Sequence, residues 1–282
     1  MGWHGTCKLS YNWAMFDLAV VERRLPVAGL GMPLIFQPHI GSTQTLAAEL
    51  AASGATDGTL VVADEQTEGK GRHGRRWHTP SGSALAFSLI LRPSLPEAAS
   101  GSRELAAWNL LGALAAAGAL EALGALPAIK WPNDVLLKER KVAGVLLDVA
   151  WIDQHIDSLV LGIGVNVYAE SVPPEDAVDY PTTSVEQAVG FRPSREDLLL
   201  QIVERIGLLS QPLNAEAVLD GVNQRLAFRG RPVEVGTGEA DVQGILVALG
   251  EEGEIVLRTE GQGEMRLSGA DPHLRPLDGL RE

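Results

Sequence analysis

Residues 59–82 read TLVVADEQTEGKGRHGRRWHTPSG, and the fold turns on how this stretch is parsed. Its first eight residues are β-branched and apolar enough for a strand. Residues 69–74, Gly-Lys-Gly-Arg-His-Gly, then satisfy the G-x-G-x-x-G spacing of a dinucleotide-binding turn. In that turn the third glycine must open a helix whose N-terminus carries the pyrophosphate. Here Gly74 is followed by Arg75, Arg76, Trp77, His78, Thr79 and Pro80, and then by SALAFSLILR (83–92), which alternates like a strand. Gly69 and Gly74 also sit in the frame of a phosphate-binding P-loop, but Arg75-Arg76 stand where Lys-Ser/Thr is required, so no hydroxyl remains for magnesium. The stretch is therefore strand–loop–strand, which excludes both nucleotide-binding folds.

The loop itself carries chemistry. The chain has net charge −13, yet Lys70, Arg72, Arg75, Arg76 and potentially His73 fall within seven residues. Glycines allow backbone amides to approach an anion, and guanidinium groups offer planar forks to phosphate or carboxylate oxygens. A solvated surface loop is the plain alternative, but it leaves the crowding of like charges unexplained. The composition predicts a loop that closes over a small, multiply charged ligand.

Working outward, TQTLAAELAAS (43–53) predicts a helix capped by Ser42 or Thr43 and stopped by Gly54. An Ala/Leu-rich helix fits 102–123, closed by Gly124 and Pro127. Three apolar segments follow, AIKW (128–131), DVLLKERKVAGVLLDVAW (134–151) and SLVLGIGVNV (158–167), with Lys-Glu-Arg at 138–140 as a tight antiparallel connection. YAESVPPEDAVDYPTT (168–183) predicts a surface loop, and helices are expected at 194–209 and 214–227. From Arg229 onward short valine-rich runs alternate with glycines, which predicts a small all-β unit of about five strands. The switch from helical to period-2 patterning near residue 228 marks a domain boundary. The stretch through Gly31 has no readable periodicity.

Hydrophobic residues at 45% and charged residues at 21% place the chain among globular proteins. The acidic balance argues against a protein that grips nucleic-acid backbones. A single cysteine, Cys7, excludes a disulfide framework and a thiolate metal cluster. No apolar run approaches the ~20 residues of a membrane helix, and the N-terminus lacks the layout of a secretion signal. A cytoplasmic protein with neither DNA nor membrane as partner is expected.

EQTEGKGRHGRRW (65–77), KWPNDVLLKERKVAGVLLD (130–148) and GIGVNV (162–167) together resemble the biotin protein ligases, over most of the chain from about Leu34 to the SGADPHLRP tail. The resemblance implies an α+β fold: a class II synthetase-like mixed sheet flanked by helices over residues 1–228, the first ~32 unassigned, and an SH3-like β-barrel over 229–282. It implies a ligase that joins biotin to ATP as biotinyl-5′-AMP, releases pyrophosphate, and passes the biotinyl group to a lysine of the biotin carboxyl carrier protein of acetyl-CoA carboxylase or a related carboxylase. Biotin and ATP are then the substrates, with Mg²⁺ alongside, and the chain is a monomer or homodimer. It resembles the form without the N-terminal DNA-binding domain of the repressor-type members.

Residue by residue, the resemblance assigns Ser42, Thr43, Gln44 and Gln66 to biotin, the first three at its ureido ring. Lys70, Gly71 and Arg72 would cover the biotin carboxylate and the phosphate. Lys141 would reach the reacting oxygens, and Arg72 would join it in catalysis. Gly69, Gly74, Arg75, Trp77, Lys130, Asn133 and Asn166 would form the adenylate side, with Asp134 as a magnesium ligand. Lys70 stands where the family usually has arginine, which keeps the charge and loses the bidentate fork. No residue is matched to adenine stacking.

Each of these has a plainer reading. Ser42 or Thr43 is also a helix cap. Pro132-Asn133-Asp134 is strong turn chemistry. Trp77 and Trp131 also suit packing, Lys141 suits an ordinary strand, and His73 and His78 have poor metal spacing. Three other functions compete. A lipoyl- or octanoyl-type acyltransferase of related fold would in some cases need a nucleophilic cysteine, for which Cys7 is the one candidate. A ligand-sensing regulator would need a DNA-reading module, and a structural domain would leave the loop without a purpose.

Overall fold

The computed structural model describes residues 16–93, 102–153, 155–236, 241–261, 263–268 and 273–280. Cys7 lies outside them, as does part of the SGADPHLRP segment.

A seven-stranded sheet runs β1-β2-β3-β7-β6-β5-β4, with β1 (Leu34–Ile40), β2 (Leu60–Gln66), β3 (Ala84–Leu91), β4 (Pro127–Lys130), β5 (Asp134–Leu137), β6 (Arg140–Ile152) and β7 (His155–Asn166). Only β1 and β2 pair in parallel, Leu34 opposite Leu60, because the helix α2 (Thr43–Ala52) crosses over between them; every other pair is antiparallel. The sheet is mixed, as expected for the α+β class. A short helix, α1 (Leu18–Arg24), lies in the stretch that carried no readable periodicity, and β1, just beyond it, was not foreseen.

Helices cover both faces. α2 packs on β2, β3 and β7, where Ala47 and Ala51 meet Val61, Ile90 and Val160. α3 (Ser102–Glu121) and α5 (Arg195–Ser210) form the opposite layer, and Trp108, Leu110 and Leu111 are fully buried in the same core as Leu85, Leu89 and Ile163. Each such side chain contributes about 1.5–3 kcal/mol by leaving water. All of β3 is buried for this reason. Its alternation is of side-chain size between two covered faces, not of burial against exposure.

The β5–β6 connection falls at the expected Lys-Glu-Arg. Lys138 and Glu139 take φ of 49° and 57°, so this is a mirror-image tight turn, matched to strand twist, built without glycine. The segment after β7 holds two short 3₁₀ turns, Ala169–Ser171 and Glu175–Ala177, then a helix not foreseen, α4 (Val185–Val189), which Ser184 and Gln187 close with a capping box. α6 is Ala215–Gln224.

The remaining five strands form their own antiparallel sheet, β11-β10-β9-β8-β12: β8 (Pro232–Gly236), β9 (Asp241–Leu249), β10 (Ile255–Thr259), β11 (Gly263–Leu267) and β12 (His273–Pro276). This matches the SH3-like unit that was expected. Trp131 Nε1 donates to Gly253 O at 3.0 Å, and Arg231 bridges Glu139 to Asp278, tying this unit to the main sheet. No helix among the described residues is long and apolar enough to cross a membrane.

Candidate active site

Side chains on a strand alternate faces, and the even-numbered residues of β3, β6 and β7 share the face that α2 covers at one end. That row reads Ala86 and Ser88, then Gly144, Leu146 and Asp148, then Val160, Gly162, Gly164 and Asn166. Beyond the end of α2 the row is small, and a cavity of about 650 Å³ opens over it. A methyl group on Gly162 would lie 2.3 Å from Gln44 Oε1, and one on Gly164 would lie 2.3 Å from the Trp77 indole. Gly144 is similarly close to Lys141 and Trp77, at 3.2 Å. The glycines of GIGVNV thus make room for two side chains laid flat on the sheet.

The loop after β2 roofs this bed. Trp77 N donates to Gly69 O and Gly71 N to Arg75 O, both at 2.8 Å, so the loop folds back on itself as an irregular hairpin with a 3₁₀ turn at Arg72–Gly74. Gly69 allows the crossing, since a Cβ there would meet Trp77 O at 2.3 Å. Lys70, Arg75 and Arg76 are exposed, while Arg72 is half-buried over the cavity. Arg75 reaches Asp179 at 3.5 Å, joining the roof to the segment after β7.

One end of the cavity is neutral and polar. Ser42 holds the N-cap position of α2, but its side chain makes no cap hydrogen bond, and its Oγ is buried without a hydrogen-bond partner. Gln66 Oε1 instead accepts from Thr43 N at 2.8 Å and lies 3.1 Å from Thr43 Oγ1, while Gln66 Nε2 donates to Thr79 Oγ1 at 3.0 Å. Gln44 lines the wall with its amide committed to the protein: Nε2 donates to Asp148 Oδ2 and Val160 O at 2.9 Å each, and Oε1 accepts from Ser88.

The other end is charged. Asp134, Lys130 and Lys141 come together because β4 and β5 form a hairpin that pairs Lys130 with Asp134, and β6 brings Lys141 alongside. Lys141 Nζ is 2.6 Å from Asp134 Oδ1, and Lys130 Nζ is 3.3 Å from Oδ2. Burial alone would raise the Asp134 carboxyl, but Lys141 and then Lys130 outweigh it and hold it at about 2. Burial lowers Lys130, assisted by repulsion from Lys141 and Arg75 and opposed by Asp134. Two aromatic faces attend the cations, Tyr180 under Lys130 at 4.9 Å and Trp77 near Lys141 at 5.5 Å. Tyr180 donates to Glu139 O at 3.0 Å, and burial pushes its hydroxyl pKa upward.

The cavity wall takes in Ser42, Thr43, Gln44, Gln66, Gly69, Lys70, Gly71, Arg72, Arg75, Trp77, Lys130, Asn133, Asp134, Lys141 and Asn166. Gly74 is the exception: it adopts φ of 73° at the loop tip, off the wall. Asn133 and Asn166 are pinned by their amides, to Val145 O at 2.6 Å and Thr183 O at 3.2 Å, so the turn reading of Pro-Asn-Asp holds as well. The magnesium assignment to Asp134 does not fit. A divalent cation wants oxygen ligands, and both carboxylate oxygens here face ammonium groups. Among the described residues no cluster of three His, Cys, Asp or Glu offers an alternative. Asp134 is the counter-ion of two lysines. Ser88, Asp148, Thr79, Asp179 and Tyr180 were missed in the sequence, as were His273 and Arg275, which reach the cavity from β12. A serine and an aspartate breaking the apolar runs of β3 and β6 were the signal available.

A mixed sheet with a glycine- and arginine-rich loop roofing one face places the chain among the biotin and lipoate protein ligases, and the Biotin/lipoate A/B protein ligase family matches residues 36–166. The biotin protein ligase of Aquifex aeolicus in complex with biotin and ATP superposes with a TM-score of 0.73 at 30% identity, over 87% of this chain and 99% of that one. The biotin–[acetyl-CoA-carboxylase] ligases of Paracoccus denitrificans and Mycobacterium tuberculosis are 34% and 32% identical, over 77% and 83% of this chain and 90% and 86% of theirs. The chain belongs to the biotin protein ligase family.

Proposed function

We propose that this chain activates biotin with ATP as biotinyl-5′-AMP and transfers the biotinyl group to a lysine of a biotin carboxyl carrier protein. The observation that carries this reading is the pairing of two unlike ends on one small-residue bed. Ser42, Thr43 and Gln66 suit a neutral group with both donors and acceptors, such as a ureido ring. Lys141, Lys130 and Arg72 suit a carboxylate meeting a phosphate. Along β7 the Gln44 contact at Gly162 and the Trp77 contact at Gly164 are one pleat repeat apart, about 7 Å, a spacing on the scale of biotin's ring and chain.

The chemistry asks for such an arrangement. Attack of the biotin carboxylate on the α-phosphorus forms a carboxyl–phosphate anhydride and expels pyrophosphate. Two anions must meet, so positioning and charge neutralisation do most of the work. The carrier lysine amine then attacks the anhydride carbonyl and AMP leaves. In this reading Lys141 neutralises the reacting oxygens, Arg72 on the loop latches the adenylate, and Lys70 and Gly71 complete the cover. Gly69, Arg75, Trp77, Lys130, Asn133 and Asn166 bound the nucleotide side. Gln44 acts from behind its neighbours. The anhydride is labile to water, so the roof also excludes solvent. The catalytic unit spans 1–228 and the β unit 229–282, whose His273 and Arg275 border the nucleotide end.

The test is incubation with biotin, ATP and an isolated biotinyl domain of acetyl-CoA carboxylase. One biotinyl group on one lysine of the domain is expected by mass spectrometry. No modification, or the same result with lipoate in place of biotin, would contradict the reading. Sequence-selective, salt-sensitive retardation of DNA is not expected.

A further inference from the structure

A buried ion pair sits at the base of the roof loop, off the cavity wall. Arg195, the first residue of α5, places its Nη1 2.7 Å from Asp64 Oδ1 and donates to Ala84 O at 3.1 Å. The second carboxylate oxygen, Asp64 Oδ2, accepts from Ser81 Oγ at 2.6 Å and from Gly82 N at 3.1 Å. Both charged residues are buried, and neither lines the cavity.

This is where the loop re-enters the sheet. The β2–β3 ladder ends at Ala63 opposite Ala86, and the two limbs meet again where Gln66 N donates to Thr79 O at 3.1 Å. Asp64 and Glu65 span that gap on one side and residues 80–85 on the other, so the returning limb bulges. Gly82 turns within the bulge at φ of 74°. Asp64 holds the bulge from β2, and Arg195 holds it from α5. Ser83 O also accepts from Tyr168 N at 2.9 Å, which ties in the segment that brings Asp179 and Tyr180 to the cavity.

Packing alone would not set this register. Apolar contact is non-directional, whereas a carboxylate that takes three donors from two segments fixes both. A slip of the returning limb by one residue would turn Thr79 away from Gln66 Nε2 and lift Trp77 off its glycine bed. We propose that Arg195, acting through Asp64, is a positioning residue for biotin activation: it fixes the register in which the roof returns to the sheet, and so places Gln66 and Trp77 against the ligand. The proposal rests on the reading of biotin and ATP as substrates.

The experiment replaces both members at once, Arg195→Met with Asp64→Leu, because exchanging a buried ion pair for apolar side chains of similar volume is often neutral for stability. In the ligand-free double variant trypsin should cut after Lys70, Arg75 or Arg76 at least roughly tenfold faster than in the native chain. With biotin, ATP and the biotinyl domain, KM for biotin should rise at least roughly tenfold, and more biotinyl-5′-AMP should leave before transfer. Ser81→Ala removes one tie at an exposed residue and spares the ion pair; it should move both readouts the same way by about threefold. A purely structural role lowers the melting temperature and leaves loop cleavage and KM at native values, and that result in the double variant overturns the proposal. Should the double variant not fold, native values in Ser81→Ala overturn it. A native chain without biotin-dependent activity overturns the parent reading, while the cleavage arm, which needs no ligand, still decides whether the pair holds the loop.

Discussion

Lys141 and Asp134 form the shortest contact of the charged end, 2.6 Å between Nζ and Oδ1, with Lys130 closing on the other carboxylate oxygen. One anion thus spaces two cations at the place where two more anions are to react. The lysines are neither exposed strand residues nor a free anion trap: their charge is partly neutralised until ligand arrives.

Removing that anion should cost stability. Asp134 is 9% exposed, and Asp134→Ala leaves two ammonium groups facing each other without a counter-ion. A loss of about 3 kcal/mol is expected by urea unfolding at pH 7.

The same carboxylate sets an acid dependence. Its pKa is depressed from an ordinary 3.8 to about 2, so the stability it contributes is present above pH ~4 and is lost as pH falls through 2. The gap amounts to roughly 2 kcal/mol. The stability difference between the native chain and Asp134→Asn should therefore shrink between pH 5 and pH 2. A difference that stays constant over that range counts against the ion triad.

Lys141→Ala should lower adenylate formation by about 10²–10³, the effect of about 2.7–4 kcal/mol at the transition state, with far-UV circular dichroism unchanged. A variant within threefold of the native rate removes Lys141 from the reacting centre.

Gly164→Ala tests the bed. The added methyl would lie 2.3 Å from the Trp77 indole, which must leave the sheet and carry the loop with it. Activity should fall at least roughly tenfold while the melting temperature stays within a few degrees. Native activity in this variant would mean that the indole is not part of the site.

The loop should respond to ligand. Trypsin should cut after Lys70, Arg75 or Arg76, all exposed, in the free protein, and biotin with ATP should suppress cleavage. Arg72→Gly should also release biotinyl-5′-AMP, seen as biotin on unrelated lysines nearby. Equal cleavage with and without ligands would make these cations a docking surface for an acidic carrier protein.

How much of this was legible depends on the distance over which each feature is encoded. The loop, the Lys-Glu-Arg turn and the glycines of GIGVNV are local, and local backbone demands show in the residue types that meet them. Ser88 and Asp148 were passed over because their partners, Thr43 and Gln44, are 45 and 104 positions away along the chain. Their pairing follows from which strands are neighbours. β1 escaped because an edge strand with Pro38 and His39 has little apolar alternation, and its place is fixed by parallel pairing to β2. The magnesium role of Asp134 came with the resemblance alone; that each of its oxygens faces a lysine from a neighbouring strand follows from the pairing of β4, β5 and β6.

The most direct test of the account is biotin-dependent exchange of labelled pyrophosphate into ATP, run with the native chain and with Lys141→Ala, in the absence of any carrier protein. Exchange that requires biotin, is not supported by lipoate, and falls at least roughly 100-fold in Lys141→Ala is the predicted result. Exchange independent of biotin, or undiminished in Lys141→Ala, would contradict it.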